Sequence, residues 1–301
     1  MKVLLFGGTG FIGNSLAGHL TERGFEVVQL ARHPVIKSRF RFVQWDGVTV
    51  GDWAKELEGA AGIVNLTGRS VDCIKTPENC DVILRSRVDS CRAIGEALKT
   101  VNNPPPVWVQ MSTAHIYGDP PNRVLSEGGA FGYGLAPFVG QAWEAAFAAA
   151  RPKTMRGVRL RTSFVIGKHG GALASLSRIV KLGLGGTVGH GQQGMSWIHE
   201  DDMNEIIHQA IVDANYEGPY ICTAPNPVSN KVFMSKLRQA LRVPIGLPAP
   251  APLVKLGAKY LFGTDPELAL YGRYVVSERL PAVGYSFKFP ELTGALRNLC
   301  S

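Results

Sequence analysis

Short apolar runs alternate with stretches of helical spacing through the first half of the chain. Val3-Leu4-Leu5-Phe6 is an uninterrupted apolar run, short enough for one strand buried on both faces. Asn14-Ser15-Leu16-Ala17-Gly18-His19-Leu20 follows with its apolar residues at helical spacing. Glu26 to Arg32 predicts a second strand, Arg41-Phe42-Val43-Gln44-Trp45 a third and Gly62-Ile63-Val64-Asn65-Leu66 a fourth. A long helix is predicted over roughly residues 79–100, with Val82, Ile83, Val88, Ile94 and Leu98 on its apolar side. Pro104-Pro105-Pro106 stiffens the connection to a fifth strand, Val107 to Met111, which ends at Ser112-Thr113. After a loop rich in Gly and Pro over 118–137, a helix is predicted from Phe138 to Ala150 and a sixth strand from Gly157 to Arg161. Strands and helices in regular alternation predict an α/β fold with a parallel sheet covered by helices.

The second half is less regular. Gly183-Leu184-Gly185-Gly186 and Gly189-His190-Gly191 predict loops. Ser196-Trp197-Ile198-His199 predicts a short strand, and Asp201-Asp202 the cap of a following helix. Proline-rich stretches at 225–227 and 244–252 separate small helical pieces. The expected organisation is a main domain over 1–165, with 195–224 returning to it, and a smaller C-terminal substrate lobe built from 166–194 and 225–301.

Gly7-Gly8-Thr9-Gly10-Phe11-Ile12-Gly13 lies between the first strand and the first helix. A glycine-rich turn in that place is a pyrophosphate cradle. Gly7 permits the tight turn, Gly10 lets the backbone approach the phosphates, and Gly13 lets helix and strand pack closely. The helix N-terminus then offers free N–H groups and a positive dipole end to the anion. The sheet is thus expected to be the Rossmann-type, doubly wound kind. The end of the second strand is where such a fold reads the adenosine ribose. Arg32, beside Ala31, stands where an acidic residue would select NAD, with His33, Lys37, Arg39 and Arg41 close behind. A guanidinium suits a 2′-phosphate in charge and in two-point geometry, so NADP(H) is the expected cofactor.

Composition narrows the class without changing this picture. Apolar residues make up 45% of the 301 and charged residues 19%, values of a globular chain. No apolar run approaches the roughly 20 residues of a membrane helix, so no membrane partner is expected. Five scattered cysteines, Cys73, Cys80, Cys91, Cys222 and Cys300, form no C-x-x-C pair. They fit reduced thiols in a cytoplasmic compartment and no metal site. A strand that opens at Lys2 leaves no targeting segment before it. The net charge of +8 raises the question of nucleic acid. No binding motif or basic-aromatic stripe accompanies it, and an anionic dinucleotide accounts for part of the excess.

The glycine loop resembles the fingerprint of the extended short-chain dehydrogenases/reductases, the NAD-dependent epimerase/dehydratase group. Ser112-Thr113-Ala114-His115-Ile116-Tyr117-Gly118 is similar to that group's fifth-strand motif, and Ser196 to Asp202 to its later His-x-Asp-Asp segment. Trp45-Asp46, Asn65-Leu66-Thr67-Gly68, Arg85-Ser86-Arg87, Trp143 to Ala146 and the ending Gly284 to Leu292 with Ala295-Leu296 resemble one subgroup. Its members are epimerase-family proteins with a DUF1731-type C-terminal segment. The resemblance covers essentially the whole chain. It implies that Gly7, Thr9, Gly10, Phe11, Ile12 and Gly13 wrap the pyrophosphate and that Ala31 and Arg32 meet the adenosine ribose and its 2′-phosphate. It further implies that Leu66, Thr67 and Gly68 line the path to the nicotinamide ribose and that Arg87 and Ser112 face the cofactor.

The same resemblance exposes a departure. Family enzymes use a Tyr-x-x-x-Lys pair, in which the lysine lowers the tyrosine pKa and the tyrosine moves a proton at a carbonyl or hydroxyl. Here Phe138 stands in the tyrosine's place and Ala142 in the lysine's. Tyr133 has Pro137 four residues on, and no lysine occurs between Lys99 and Lys153. Thr113 keeps the place of the residue that orients a substrate oxygen. Tyr117, His115 and His199 are the other groups that carry a transferable proton; Tyr117 and His199 also read as packing or structural residues, and His115 can face either way. Arg69, Arg161, Gln192 and Trp197 are compatible with a small polar substrate and equally with packing. Thr113 and Tyr117 are therefore the catalytic candidates of an NADP(H)-dependent oxidoreductase or epimerase-like enzyme. The alternative is a non-catalytic NADP(H)-binding protein that senses redox state.

Overall fold

The computed structural model describes residues 1–34, 38–120, 122–124, 126–258, 260 and 263–301; Lys37, one of the cations behind Arg32, lies outside them. Its centre is a sheet of seven parallel strands. These are β1 (Lys2–Phe6), β2 (Glu26–Ala31), β3 (Arg41–Gln44), β4 (Gly62–Asn65), β5 (Val107–Thr113), β6 (Arg156–Thr162) and, from far along the chain, β10 (Gly218–Cys222). The spatial order is β3-β2-β1-β4-β5-β6-β10. The chain moves outward from β1 to β3 and then jumps back to β4, so connections leave in opposite directions on either side of the β1–β4 pair. That reversal opens a crevice at the carboxyl ends of the strands, where such sheets bind ligands.

The central strands are apolar on both faces because both faces are covered. α1 (Phe11–Glu22) links β1 to β2, and α2 (Pro77–Leu98) and α3 (Leu135–Ala150) link strands on the other side of the β1–β4 pair, so the right-handed rule for such crossovers sends α1 to one face and α2 with α3 to the other. α1 packs on α5 (Glu200–Val212), and α2 packs on α3. Two helices begin earlier than their apolar spacing predicts. α2 starts at Pro77 because the Thr76 hydroxyl accepts from Asn79 N at 3.2 Å. α3 starts at Leu135 rather than Phe138; Pro137 is tolerated in its first turn, where no N–H is needed.

The remaining elements lie outside the seven-stranded sheet, and several of them supply a second core. They are β7 (Phe164–Ile166), α4 (Gly171–Lys181), β8 (Gly194–Met195), β9 (Trp197–His199), β11 (Val228–Ser229), α6 (Asn230–Ala240), α7 (Ala251–Gly257), α8 (Glu267–Leu270), α9 (Arg279–Ala282) and α10 (Leu292–Cys300). Trp197, Phe233, Met234, Leu237, Leu292 and Leu296 pack together there, apart from the sheet's own core. The segment 195–224 therefore divides. β10 joins the main sheet beside β6 and α5 covers it, but β9 pairs with β7 in a separate two-stranded ribbon.

Asp201-Asp202 does not cap α5 as expected. The His199 ring does, its Nδ1 accepting from Asp201 N at 3.0 Å. The buried Asp202 carboxylate reaches forward instead, accepting from Lys288 N at 2.7 Å, Phe289 N at 3.0 Å and the Tyr285 hydroxyl at 3.0 Å. It ties the C-terminal segment to the helix. All five cysteines are free thiols. Among the described residues no helix is long and apolar enough to cross a membrane.

Candidate cofactor-binding site

The glycine loop closes against the loop after β4. Gly7 has φ +71°, and a Cβ there would lie 3.0 Å from the backbone of Leu66 and Thr67. A Cβ on Gly13 would lie 2.4 Å from Gly8 O, so the first turn of α1 sits directly on the loop. Gly10, at the exposed tip, is extended and leaves the α1 N-terminus without a side-chain cap or an acidic residue. Those free N–H groups would suit an anion, the role the sequence predicts for them.

The loop is braced by two residues that motif reading missed. Buried Gln29 donates to Gly8 O at 2.8 Å and to Asn14 Oδ1 at 3.0 Å, and Asn14 donates to Thr9 O at 2.8 Å. Their polarity inside a strand and a helix start was the available signal. Ile12 lies half-buried against the sheet core. The Phe11 side chain also packs half-buried against the sheet core and lies against Gly167, Gly170 and Gly171.

The second strand ends at Ala31, and exposed Arg32 stands at the mouth of a cleft of about 620 Å³. Trp45, Asp46, Thr49 and Trp53 line its floor. Asp46 accepts from Val48 N and Thr49 N at 2.8 Å and from the Thr49 hydroxyl at 2.6 Å, which holds its carboxyl below the usual range.

At the other end, Thr67, Gly68 and Arg87 converge. Asn65 Oδ1 accepts from Thr67 N at 3.0 Å and fixes the turn. The Thr67 hydroxyl is buried with no hydrogen-bond partner among the described residues. The Arg87 guanidinium would lie 3.0 Å from a Cβ on Gly68. It donates to Ile83 O at 2.9 Å and Arg69 O at 3.1 Å and lies over the Trp143 ring. Burial depresses its pKa to about 10, and no carboxylate offsets that. A half-buried cation with no counter-ion and a buried hydroxyl with no partner are costly to a protein alone. A ribose and its phosphates would satisfy both, so these residues fit the cofactor named above.

Most of the remaining candidates are engaged elsewhere. Ser112 is not a cofactor contact: it is buried, and its hydroxyl donates to Glu144 Oε1 at 2.7 Å on the α3 side. Tyr117 is not poised for proton transfer. It is 1% exposed, its hydroxyl donates to Glu127 O at 3.1 Å and accepts from Arg161 Nη1 at 2.7 Å, and burial pushes its pKa up. Arg161 is bound to Glu144, and Trp197 is core, so neither faces a substrate. Arg69 and Gln192 are exposed, and their backbone groups are what the structure engages. His199 is structural: Nδ1 caps α5 and Nε2 faces Asn298 Oδ1 at 3.2 Å.

Thr113 keeps a free proton. Its oxygen accepts from His115 N at 3.1 Å, which leaves its O–H to donate. Burial first, and then the Arg273 cation, lower His115 to about 3, so its ring is neutral. Arg273 Nε donates to Gly118 O at 2.7 Å. Phe138, 58% exposed, and Ala142 occupy the first two turns of α3 and offer no proton.

Comparison with known proteins agrees with this fold. The model of the NAD dependent epimerase/dehydratase family matches residues 3–221, and that of a domain of unknown function, DUF1731, residues 249–299. Epimerase family protein SDR39U1 of Mus musculus is 31% identical over 304 residues, 99% of this chain and 99% of the mouse protein. A chloroplastic homolog from Arabidopsis thaliana is 30% identical over 306 residues, 99% of this chain and 86% of the plant protein. The crystal structure of human SDR39U1 with NADPH has a TM-score of 0.88 at 28% identity, covering 100% of this chain and 99% of the human one. UDP-glucuronic acid 4-epimerase from Bacillus cereus, with UDP-glucuronic acid and NAD, shares the fold at a TM-score of 0.78 and 16% identity, covering 100% of this chain and 99% of that one. On the family match, the coverage and the glycine loop together, this chain belongs to the NAD-dependent epimerase/dehydratase family.

Proposed function

We propose that the protein binds NADP(H) across the crevice between the β1 and β4 loops and acts as an oxidoreductase on a small carbonyl or hydroxyl compound. The observation that carries the binding is the convergence of the unpartnered Thr67 hydroxyl and of Arg87, which no carboxylate offsets, beside Gly7. Arg32 selects the 2′-phosphate, and the NADPH held by the human relative supports that choice. When bound, the nicotinamide supplies the hydride.

The chain's own residues do the rest. The α1 N-terminus and the glycine loop hold the pyrophosphate. Thr113 donates a hydrogen bond to the substrate oxygen. His115, neutral beside Arg273, adds a polar ring without a positive charge. With Phe138 and Ala142 in place of the Tyr/Lys pair, the proton comes from water, and turnover lacks the roughly 10²–10⁴-fold that such a group contributes. The second reading, a non-catalytic NADP(H)-binding protein, is favoured by that same pair of substitutions.

Thermal melts with NADPH and NADH test the binding. Ligand at about 100 times Kd stabilises by about 2.7 kcal/mol, so NADPH raises the midpoint and Arg32→Glu transfers the preference to NADH. No shift with either nucleotide ends the cofactor assignment. Oxidation of NADPH over a panel of aldehydes and ketones tests the chemistry. Binding without turnover on any of them, together with gain of turnover in the Phe138→Tyr/Ala142→Lys double variant, favours the second reading.

A further inference from the structure

We propose that His19, Glu205 and His208 form a binding site for a divalent transition-metal ion of the zinc type. The three residues lie outside the cofactor crevice, where α1 packs on α5. Glu205 and His208 stand three apart on one face of α5, and His19 meets them from α1. Glu205 Oε2 is 3.1 Å from His19 Nε2, and Glu205 Oε1 is 3.2 Å from His208 Nδ1. One donor atom from each residue falls within 4.8 Å of the other two. In a tetrahedral zinc site with bonds of about 2.0–2.2 Å, neighbouring donors are about 3.3 Å apart. The two short separations run to different oxygens of the Glu205 carboxylate, so one oxygen and the two imidazole nitrogens, now within 4.8 Å of one another, draw together by about an ångström on the ion.

The donor chemistry fits. Two imidazole nitrogens and a carboxylate oxygen suit zinc, copper or nickel better than calcium or magnesium, which take oxygen sets. His19 and His208 are 14% and 15% exposed in their side chains, so the nitrogens are shielded yet reachable. Three protein ligands leave a fourth position for water or an exogenous anion.

The present occupant of the carboxylate is itself a cation. Arg23 Nη2 lies 2.6 Å from Glu205 Oε2, and Gln209 Nε2 donates to Oε1 at 2.7 Å. The Arg23 side chain is 36% exposed and can swing into solvent. The arrangement thus exchanges one cation for another, and a metal there would brace α1, whose N-terminus carries the glycine loop, against α5.

Titration calorimetry of the full chain with ZnCl2, in a buffer that does not chelate, tests this. One ion binds per chain, and His19→Ala or His208→Ala weakens it at least about tenfold, the scale on which even outer-shell partners act. Arg23→Ala, a surface change that leaves the fold intact, tightens it. Cobalt(II) in the same position gives visible d–d bands without a thiolate charge-transfer band. Equal zinc affinity in the wild type and both histidine variants, a cobalt–thiolate band from Cys73, Cys80 or Cys300, or unchanged affinity in Arg23→Ala would overturn the proposal.

Discussion

Arg161 and Glu144 meet in a two-point fork inside the protein. Arg161 Nε donates to Glu144 Oε1 at 2.8 Å and Nη2 to Oε2 at 2.9 Å, with side chains 4% and 7% exposed. Ser112 and Arg159 also donate to Glu144, and Arg161 reaches Tyr117 and Glu127 O. Strand β6, helix α3 and the turn after β5 are locked together by one ion pair.

Removing one partner leaves the other charge buried. Glu144→Ala is expected to cost about 3–5 kcal/mol by urea unfolding, and Arg161→Ala a similar amount. Burial opposes the Glu144 charge, but Arg161, Ser112 and Arg159 outweigh it and hold the pKa below the usual carboxylate value. The unfolded chain therefore binds this proton first. The pair's contribution is present above the ordinary carboxylate range and is lost as pH falls through the lower folded value. A wild-type advantage over Glu144→Ala that stays constant down to pH 3 would contradict this.

Gly13 and Gly10 separate folding from cofactor binding. An alanine Cβ at Gly13 would press within 2.4 Å of Gly8 O, backbone on backbone, so Gly13→Ala should cost about 3 kcal/mol or more. Gly10 is extended, and a Cβ there would find only Gly7 O at 3.6 Å. Gly10→Ala should melt like the wild type and yet lose NADPH affinity about tenfold or more, because its methyl group would face the phosphates of the proposed cofactor. Calorimetry and a thermal melt on the two variants read this directly.

Thr67→Val removes a buried hydroxyl that the protein itself does not use. The unliganded variant should be as stable as the wild type or more so, since an unpaired polar group is replaced by a methyl. Its NADPH affinity should fall about tenfold, the equivalent of about 1.4 kcal/mol. A variant that loses stability but keeps affinity places the missing partner of Thr67 elsewhere.

His115 supplies a pH signature. Its folded pKa is about 3 against 6.5 for the free side chain, so between those values the unfolded chain binds the extra proton. Stability attributable to His115 is therefore complete above pH 6.5 and declines as pH falls toward 3. The stability difference between the wild type and His115→Gln should shrink over that interval, and the His115 ring proton in an NMR titration should not move between pH 8 and 5.

The sheet and its glycine loop were legible because local rules decide them. Apolar runs bounded by turns make buried strands, and only glycine fits at Gly7 and Gly13. Arg87 was legible through its family place alone. The errors share one cause, which is contact between residues far apart in the chain. Ser112 looked like a cleft residue until Glu144, 32 residues later, took its hydroxyl. Tyr117 looked titratable until Arg161 came within 2.7 Å. Asp202 looked like a helix cap, but its partners lie at Tyr285, Lys288 and Phe289. Periodicity has no access to such partners. The polarity of Gln29 inside a buried strand was a signal, but not the identity of its partner, Gly8 O in the glycine loop.

The late arrival of β10 has a consequence for biogenesis. It pairs with β6 from Gly218↔Val158 to Cys222↔Thr162, so the sheet's outer edge closes only after the intervening chain has been made. Until then β6 exposes a row of unpaired backbone groups, the kind of edge that templates aggregation. Parallel pairings of long sequence separation are also slow to form. A nascent chain stalled between these two strands is the species most in need of a chaperone, and a fragment ending near residue 165 should aggregate where the whole chain folds.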